Sequence, residues 1–273
     1  MDLVIKNGLP LLQFSHLNDF TELVHAVTTR QGGVSEGPFE SLNLGFNTGD
    51  LPPQVLRNRR KVFWALGWEE APVAIPTQVH GNQVVLVNHT FRSKQPPDPG
   101  VPLAPLRGVD GLITREEGIL LLIKIADCYP LFLYDPENHA IGLLHAGWRG
   151  TAAGIVSCGI KKMMESFGTK PENIRAGIGP GIGACCYQVG KEVWEAFKRR
   201  NGFDNSIWKT GERGSLYLDL RKALYLELIG CTVKKEYIGI TSECTACNKE
   251  LFFSYRRDNG KTGRMAALIG IKG

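Results

Sequence analysis

The chain has 273 residues, 43% of them hydrophobic, with 32 basic and 27 acidic side chains and a formal charge of +5 at pH 7. That length supports one large domain or two small ones, and a mild positive excess without a long basic run suits an anionic small molecule better than a nucleic-acid groove. No apolar run approaches the roughly 20 residues of a membrane helix, the first residues lack a charged start followed by an apolar signal region, and seven cysteines in a chain this large read as reduced thiols. A cytoplasmic protein without membrane or nucleic-acid partners is expected.

In chain order, residues 23–29 have strand character, and 30–45 follow as a loop rich in glycine and small hydrogen-bonding side chains. That loop is either a turn-rich connector or a substrate-holding element, with Ser41 and Asn43 as its candidate contacts. Residues 53–66 carry helical spacing, with Val55, Val62, Phe63 and Leu66 apolar and Arg57, Arg59, Arg60 and Lys61 charged. Such a run of cations is ordinarily a solvated face, from which one arginine can turn inward to meet an anion. Residues 73–81 are extended and place His80 at a strand end before Gly81. Residues 84–88 continue as a strand, 92–107 form a proline-rich surface loop, and 108–114 return to strand character.

The apolar runs 119–125 and 140–144 are the centre of the pattern, one leading to Cys128 and the other to His145. A helix is expected over 151–166, just after the Gly147-Trp-Arg-Gly150 turn, and its N-terminus beside Arg149 would suit an anion. Residues 174–183 form a strand running into a glycine-rich loop that lacks the lysine-serine or lysine-threonine ending of a phosphate loop. Cys185-Cys186 reads as a pair of small buried thiols or a redox pair. Helices are expected over 189–199 and 216–229. Cys244-Thr-Ala-Cys247 has the spacing of half a zinc site or a redox dithiol, and no second half follows it, so these thiols are expected to be structural and not a catalytic redox pair. The tail 251–264 alternates apolar and polar residues and then turns, which fits a strand carrying arginines toward a pocket or toward solvent. The sum is one α+β domain over 1–273, built on mixed β-sheets with flanking helices.

His80, Cys128 and His145 each end an apolar run beside a small or turn residue. Singly, each has an ordinary structural reading as a hydrogen-bonding histidine or a packed thiol. Together, two imidazoles and a thiolate are a zinc ligand set that keeps a fourth position open. The same Cys128 and His145 would also serve as the nucleophile and base of a cysteine hydrolase. Copper is the alternative metal, although six histidines are too few for a multicopper cluster with an electron-transfer site. A nucleoside- or phosphate-binding protein with a structural metal is the non-enzyme alternative.

Gln78-Val-His80-Gly81, Ala126-Asp127-Cys128-Tyr-Pro130 and His145-Ala-Gly-Trp-Arg-Gly150 resemble the signature of the YfiH-like, laccase-domain purine nucleoside phosphorylase family. Gly32-Gly-Val-Ser, Ser41-Leu-Asn-Leu-Gly45, Gly177-Ile-Gly-Pro, Asp219-Leu, Phe252-Phe-Ser-Tyr-Arg-Arg and Thr262-Gly-Arg264 extend the resemblance over nearly the whole chain. It implies the YfiH-like fold and one zinc ion on His80, Cys128 and His145. It also implies phosphorolysis of inosine, adenosine, guanosine and methylthioadenosine with inorganic phosphate, together with adenosine deamination. Within that implied chemistry, Arg149 and Arg59 are the candidate phosphate holders and Asp127 the candidate proton carrier. Lys124 stands where the family often has a neutral residue.

Overall fold

A strand that is apolar at every position has to be covered on both faces. In the computed structural model, which describes residues 1–69, 71–88, 90, 106–200 and 203–273, Leu120–Ile125 lies inside a six-stranded sheet. The order is Asp2–Lys6, Leu9–Gln13, Leu23–Thr28, Met265–Ile271, Leu120–Ile125 and Val73–Ala74. Neighbours are antiparallel except Val73–Ala74, which runs parallel to Leu120–Ile125.

A second six-stranded sheet has the order Ile238–Ile240, Arg175–Ile178, Tyr129–Asp135, Ala140–Ala146, Gly111–Thr114 and Val84–Leu86. Its two outermost pairs are parallel and its inner pairs antiparallel. Mixed pairing in both sheets, with helices outside them, makes this the α+β architecture expected from the sequence.

Side-chain alternation explains the layering. Leu121, Ile123 and Ile125 of the first sheet pack with Phe132, Tyr134, Ile141 and Leu143 of the second, forming the core between the sheets. The opposite face of the first sheet, with Leu120, Leu122 and Leu268, is covered by Val62, Phe63, Ala65 and Leu66 of the helix Pro52–Leu66. The opposite face of the second, with Leu131, Leu133 and Leu144, is covered by helices Ile155–Phe167 and Leu220–Gly230. Lys124 shares the helix-facing side of its strand with Leu120 and Leu122, so a cation is delivered to a mostly apolar layer.

Several expected elements change at their edges. The helix expected from 151 to 166 is two, Trp148–Ala152 and Ile155–Phe167, divided at Gly154, whose φ of 86° no helix interior adopts. The 189–199 and 216–229 helices each lose their first residues to short strands, Gln188–Val189 and Leu216–Leu218, which pair with each other. The second helix then begins after Asp219, whose side chain accepts the Lys222 N–H. The strand part of 251–264 is not formed and the whole stretch is turns and loop: Asp258 gathers Arg257, Thr262 and the Ser254 N–H, and among the described residues no partner strand runs alongside. Of the proline-rich loop expected over 92–107, only Leu106–Arg107 lies within the described residues, paired parallel to Pro76–Thr77.

His25 belongs to the inter-strand core and constrains the pH range of the fold. Its Nε2 accepts the Phe14 N–H at 2.8 Å, which requires an unprotonated nitrogen, and burial lowers its pKa to about 4. A histidine whose folded pKa lies below its unfolded value of about 6.5 contributes stability above that value and loses it as pH falls through the folded pKa. Stability is therefore expected to fall by about 3 kcal/mol between pH 6.5 and 4 through this residue. Urea unfolding at pH 7 and pH 5 checks it: His25→Gln should flatten the difference, and an unchanged difference would rule out His25 as its source.

Candidate functional site

The hairpin formed by Tyr129–Asp135 and Ala140–Ala146 has the register Tyr129↔Ala146 and Pro130↔His145. Its open end therefore carries Cys128 on one strand and His145 on the other. Asp135 closes the far end, accepting the N–H groups of Glu137 and Asn138. His80 comes from outside this sheet, on the segment after Pro76–Thr77. The ligand-capable atoms of His80, Cys128 and His145 all lie within 4.8 Å of one another, and the two imidazole rings meet edge to face at 5.0 Å. The three residues singled out in the sequence thus converge.

Asp110, fully buried at the start of a strand, fixes two of them. Its carboxylate accepts the N–H groups of Val79, His80 and Gly81 at 3.1, 2.9 and 2.7 Å, and Oδ1 meets His145 Nδ1 at 2.9 Å. The His145 N–H donates to the Asp110 carbonyl at 2.7 Å. Burial alone would raise the Asp110 pKa, but the bonds from His145 and from the Gly81 and Val79 amides outweigh it and hold the carboxyl below its ordinary range. With Nδ1 occupied, His145 is left with Nε2 for the site.

Burial disfavours both charges of the Cys128–His145 pair. Yet the His145 charge and hydrogen bonds from His145 and His80 bring the Cys128 thiol down to about 6, and Cys128 with Asp110 brings His145 up to about 9. The pair therefore favours thiolate and imidazolium.

Local backbone is built to admit these contacts. His80 and Asp127 both have positive φ, 62° and 88°. A Cβ on Gly147 would come within 2.9 Å of Cys128 Sγ and 3.3 Å of His80 Cδ2, and one on Gly150 within 2.6 Å of the Gly81 carbonyl. Gln78 docks its amide on the edge of Leu120–Ile125, donating to the Lys124 carbonyl at 2.8 Å and accepting its N–H at 2.9 Å. That amide extends the sheet edge and carries the chain to His80.

The remaining sequence candidates divide. Asp127 lies beside Cys128 with its oxygens accepting Thr245 Oγ1 at 2.6 Å and the Arg256 N–H at 2.7 Å. Arg149 is exposed, its guanidinium stacked 4.4 Å over Trp148. It falls inside the first turn of the five-residue helix Trp148–Ala152, not ahead of a helix at Thr151, so any anion contact there rests on the guanidinium. Arg59 turns inward from an otherwise charged run and is buried. Its Nε and Nη2 donate to the Leu44 carbonyl at 3.0 and 2.7 Å, Phe46 lies under it, and burial brings its pKa to about 10.

Ser41 and Asn43 are committed to their own loop. Ser41 Oγ bridges the Gly33 N–H and the Arg30 carbonyl, and the Asn43 amide donates to Gly45, Thr48 and Asp50 while accepting from Gly45 and Arg264. The Asn43 side chain thus has a hydrogen-bonding partner for each of its capacities.

Two features of the site, Asp110 and Arg264, escape sequence reading. Asp110 looks like any strand residue between Gly108 and Gly111, and its one signal is an acid in an otherwise apolar run. Arg264 lies within electrostatic reach of Asp127 and Cys128. Lys124 feels both Arg59 and Arg264, and burial followed by those two charges lowers its amine to about 8. The site thus has a cationic side. The expectation that Cys244 and Cys247 lack a second half is overturned as well: Cys185 and Cys186, 58 residues earlier in the sequence and neither of them buried, bring their sulfurs to the same point.

A family model described as multi-copper polyphenol oxidoreductase laccase matches residues 24–272. The chain is 38% identical over 252 residues to "Purine nucleoside phosphorylase YlmD" of Geobacillus stearothermophilus, covering 92% of this chain and 91% of that protein. It is 37% identical to a "Purine nucleoside phosphorylase" of Bacteroides thetaiotaomicron, covering 96% of each. It is 32% identical to "Adenosine deaminase RL5" of an unknown prokaryotic organism, covering 89% and 92%. The crystal structure of YlmD from Geobacillus stearothermophilus superposes with a TM-score of 0.89 at 35% identity, covering 99% of each chain.

Asp110→Ala would remove the acceptor of three amides and the partner of the buried His145 Nδ1. Unfolding free energy is expected to drop by about 3 kcal/mol, measured by urea denaturation. A loss below about 1 kcal/mol, the worth of a single ordinary hydrogen bond, would show that the His80 segment is held by other contacts.

Proposed function

We propose, for a chain that belongs to the polyphenol oxidoreductase laccase family matched above, a zinc-dependent purine nucleoside phosphorylase that also deaminates adenosine. The observation that carries this reading is the convergence of His80, Cys128 and His145 within 4.8 Å, in a chain whose relatives bear those two activities in their names.

The donor set fits zinc. It has two imidazoles, one oriented by a buried carboxylate, and a thiol already biased toward thiolate by its neighbours. Zinc held there supplies a Lewis acid with one position left for a ligand from solution. The histidine inventory favours it over a multicopper centre. Of the six histidines, His25 is spent on the Phe14 N–H and His16 meets the Ala176 carbonyl.

Phosphorolysis breaks the bond from ribose C1′ to the purine nitrogen and forms one to a phosphate oxygen, the base leaving with a proton. Positive charge builds on the ribose as the bond breaks, so the phosphate has to be aligned beforehand. Arg149 is the residue for this, its exposed guanidinium already ordered by Trp148. Arg264 and Lys124 add positive potential on the side of Asp127 and Cys128, and Arg59 adds to it from inside the helix layer. Deamination exchanges ammonia at purine C6 for a water oxygen and needs a group to take one proton and return it. Asp127 sits beside Cys128, and each of its oxygens keeps a lone pair beyond the bonds from Thr245 and Arg256.

The two activities should separate at Arg149. Arg149→Ala is expected to slow phosphorolysis of inosine on the order of 100-fold while slowing adenosine deamination far less, since only the first reaction uses phosphate. Both rates are measured on one folded preparation whose metal content is known. Equal losses would sink the phosphate role, and Cys128→Ser or His145→Ala retaining a full complement of zinc at this site would sink the ligand assignment.

A further inference from the structure

Away from this centre, four sulfurs from two distant stretches meet. Cys185 and Cys186 follow the glycine-rich loop after Arg175–Ile178, and Cys244 and Cys247 lie on the loop after Ile238–Ile240. All four Sγ atoms lie within 4.8 Å of one another. Cys247 Sγ is 3.5 Å from Cys185 Sγ and 3.4 Å from Cys186 Sγ, nearly equidistant, so neither is singled out as a disulfide partner. Tetrahedral zinc with sulfur at about 2.3 Å sets its ligands about 3.8 Å apart, which is the scale of this cluster.

The backbone around Cys244 adds a second observation. The Gly183 N–H donates to Cys244 Sγ at 3.2 Å. An amide aimed at the first sulfur of a Cys-x-x-Cys turn neutralises part of a thiolate's charge. A Cβ on Gly183 would meet Cys185 Sγ, Cys244 Cβ and Cys244 Sγ at 3.2, 3.3 and 3.4 Å, so glycine lets the first loop wrap closely around the second. The loops are also joined by a Gly181↔Cys244 bridge and by the Thr245 N–H donating to the Gly181 carbonyl.

We infer that Cys185, Cys186, Cys244 and Cys247 form a second zinc site, closed by four thiolates and structural in role. On binding, the four thiols release their protons to solvent and four zinc–sulfur bonds form; no electron transfer is involved. The site would clamp the loop holding Ile182 to the loop holding Thr245. Ile182 N–H donates to the Asp127 carbonyl, Tyr129 Oη to the Ile182 carbonyl and Thr245 Oγ1 to the Asp127 carboxylate, so both loops bear on the residue next to Cys128. A cysteine quartet of this kind agrees with the expectation that Cys244 and Cys247 are not a redox pair, and supplies the partner half that their spacing lacks.

The inference does not depend on the proposed activity, and the test separates the two centres. The parent chain, the double variant His80→Ala/His145→Ala and the double variant Cys186→Ser/Cys247→Ser are prepared in reducing buffer with zinc sulfate and desalted. Their zinc is then measured by mass spectrometry. Two zinc ions per parent chain are expected, and one in each variant, with X-ray absorption of the histidine variant showing four sulfur neighbours at about 2.3 Å. A folded histidine variant without zinc overturns the proposal. So does an intact mass under non-reducing conditions lighter by the hydrogens of a disulfide among these cysteines. Should the cysteine variant fail to fold, the histidine variant, which keeps all four thiols, still decides the question.

Discussion

A carboxylate with no access to water must receive hydrogen bonds from the protein on every side, or it is expelled or neutralised. Asp110 receives four, from three consecutive amides and one imidazole. Their directions make this one buried charge do two jobs: it bends residues 79–81 around itself, giving His80 its left-handed backbone, and it chooses which nitrogen His145 offers to the site. Removing the charge would release a loop from one sheet edge and a side chain from another. The site's geometry is thus an electrostatic consequence of burying a single acid where two sheets come together.

The sheets supply what Asp110 cannot. Hairpin register sets Cys128 opposite Gly147 to within the tolerance of a strand, and the core between the sheets holds that hairpin against displacement. Close packing at Gly147 and Gly150 leaves no space for a side chain, which brings three chain segments within reach of one ion's coordination distance. Lys124 is the counterexample to an apolar layer. Its amine is kept among the side chains under the helix, where an ordinary hydrophobic residue would pack at less cost, and burial together with the Arg59 and Arg264 charges lowers its pKa.

Much of this was legible in the sequence because it depends on local pattern. The two apolar runs, the helix over Pro52–Leu66 and the three ligand-capable residues at run ends follow from periodicity and residue type, and the family resemblance ordered them. What was not legible depends on contacts between distant segments. Tyr129–Asp135 has a proline at its second position, which argues against a central strand, and pairing with Ala140–Ala146 and Arg175–Ile178 is what makes it one. Met265–Ile271 looks like a tail and is in fact the link between Leu23–Thr28 and Leu120–Ile125. Cys185 and Cys186 could not be matched to Cys244 and Cys247 by spacing, because a parallel pairing of Arg175–Ile178 with Ile238–Ile240 is what sets the two loops side by side.

The three ligand-capable residues of the first centre differ in one more respect, their exposure: His145 is buried, Cys128 half-buried and His80 exposed. This gradient gives the site a dry wall and a wet mouth. An ion leaving such a site has to release the exposed imidazole first, since only there can water take the place of a ligand. In the proposed metal site the rate of exchange would then follow the excursions of residues 79–81, on which the Asp110 bonds would act as a brake. Kinetic retention, more than equilibrium affinity, is what this carboxylate would control.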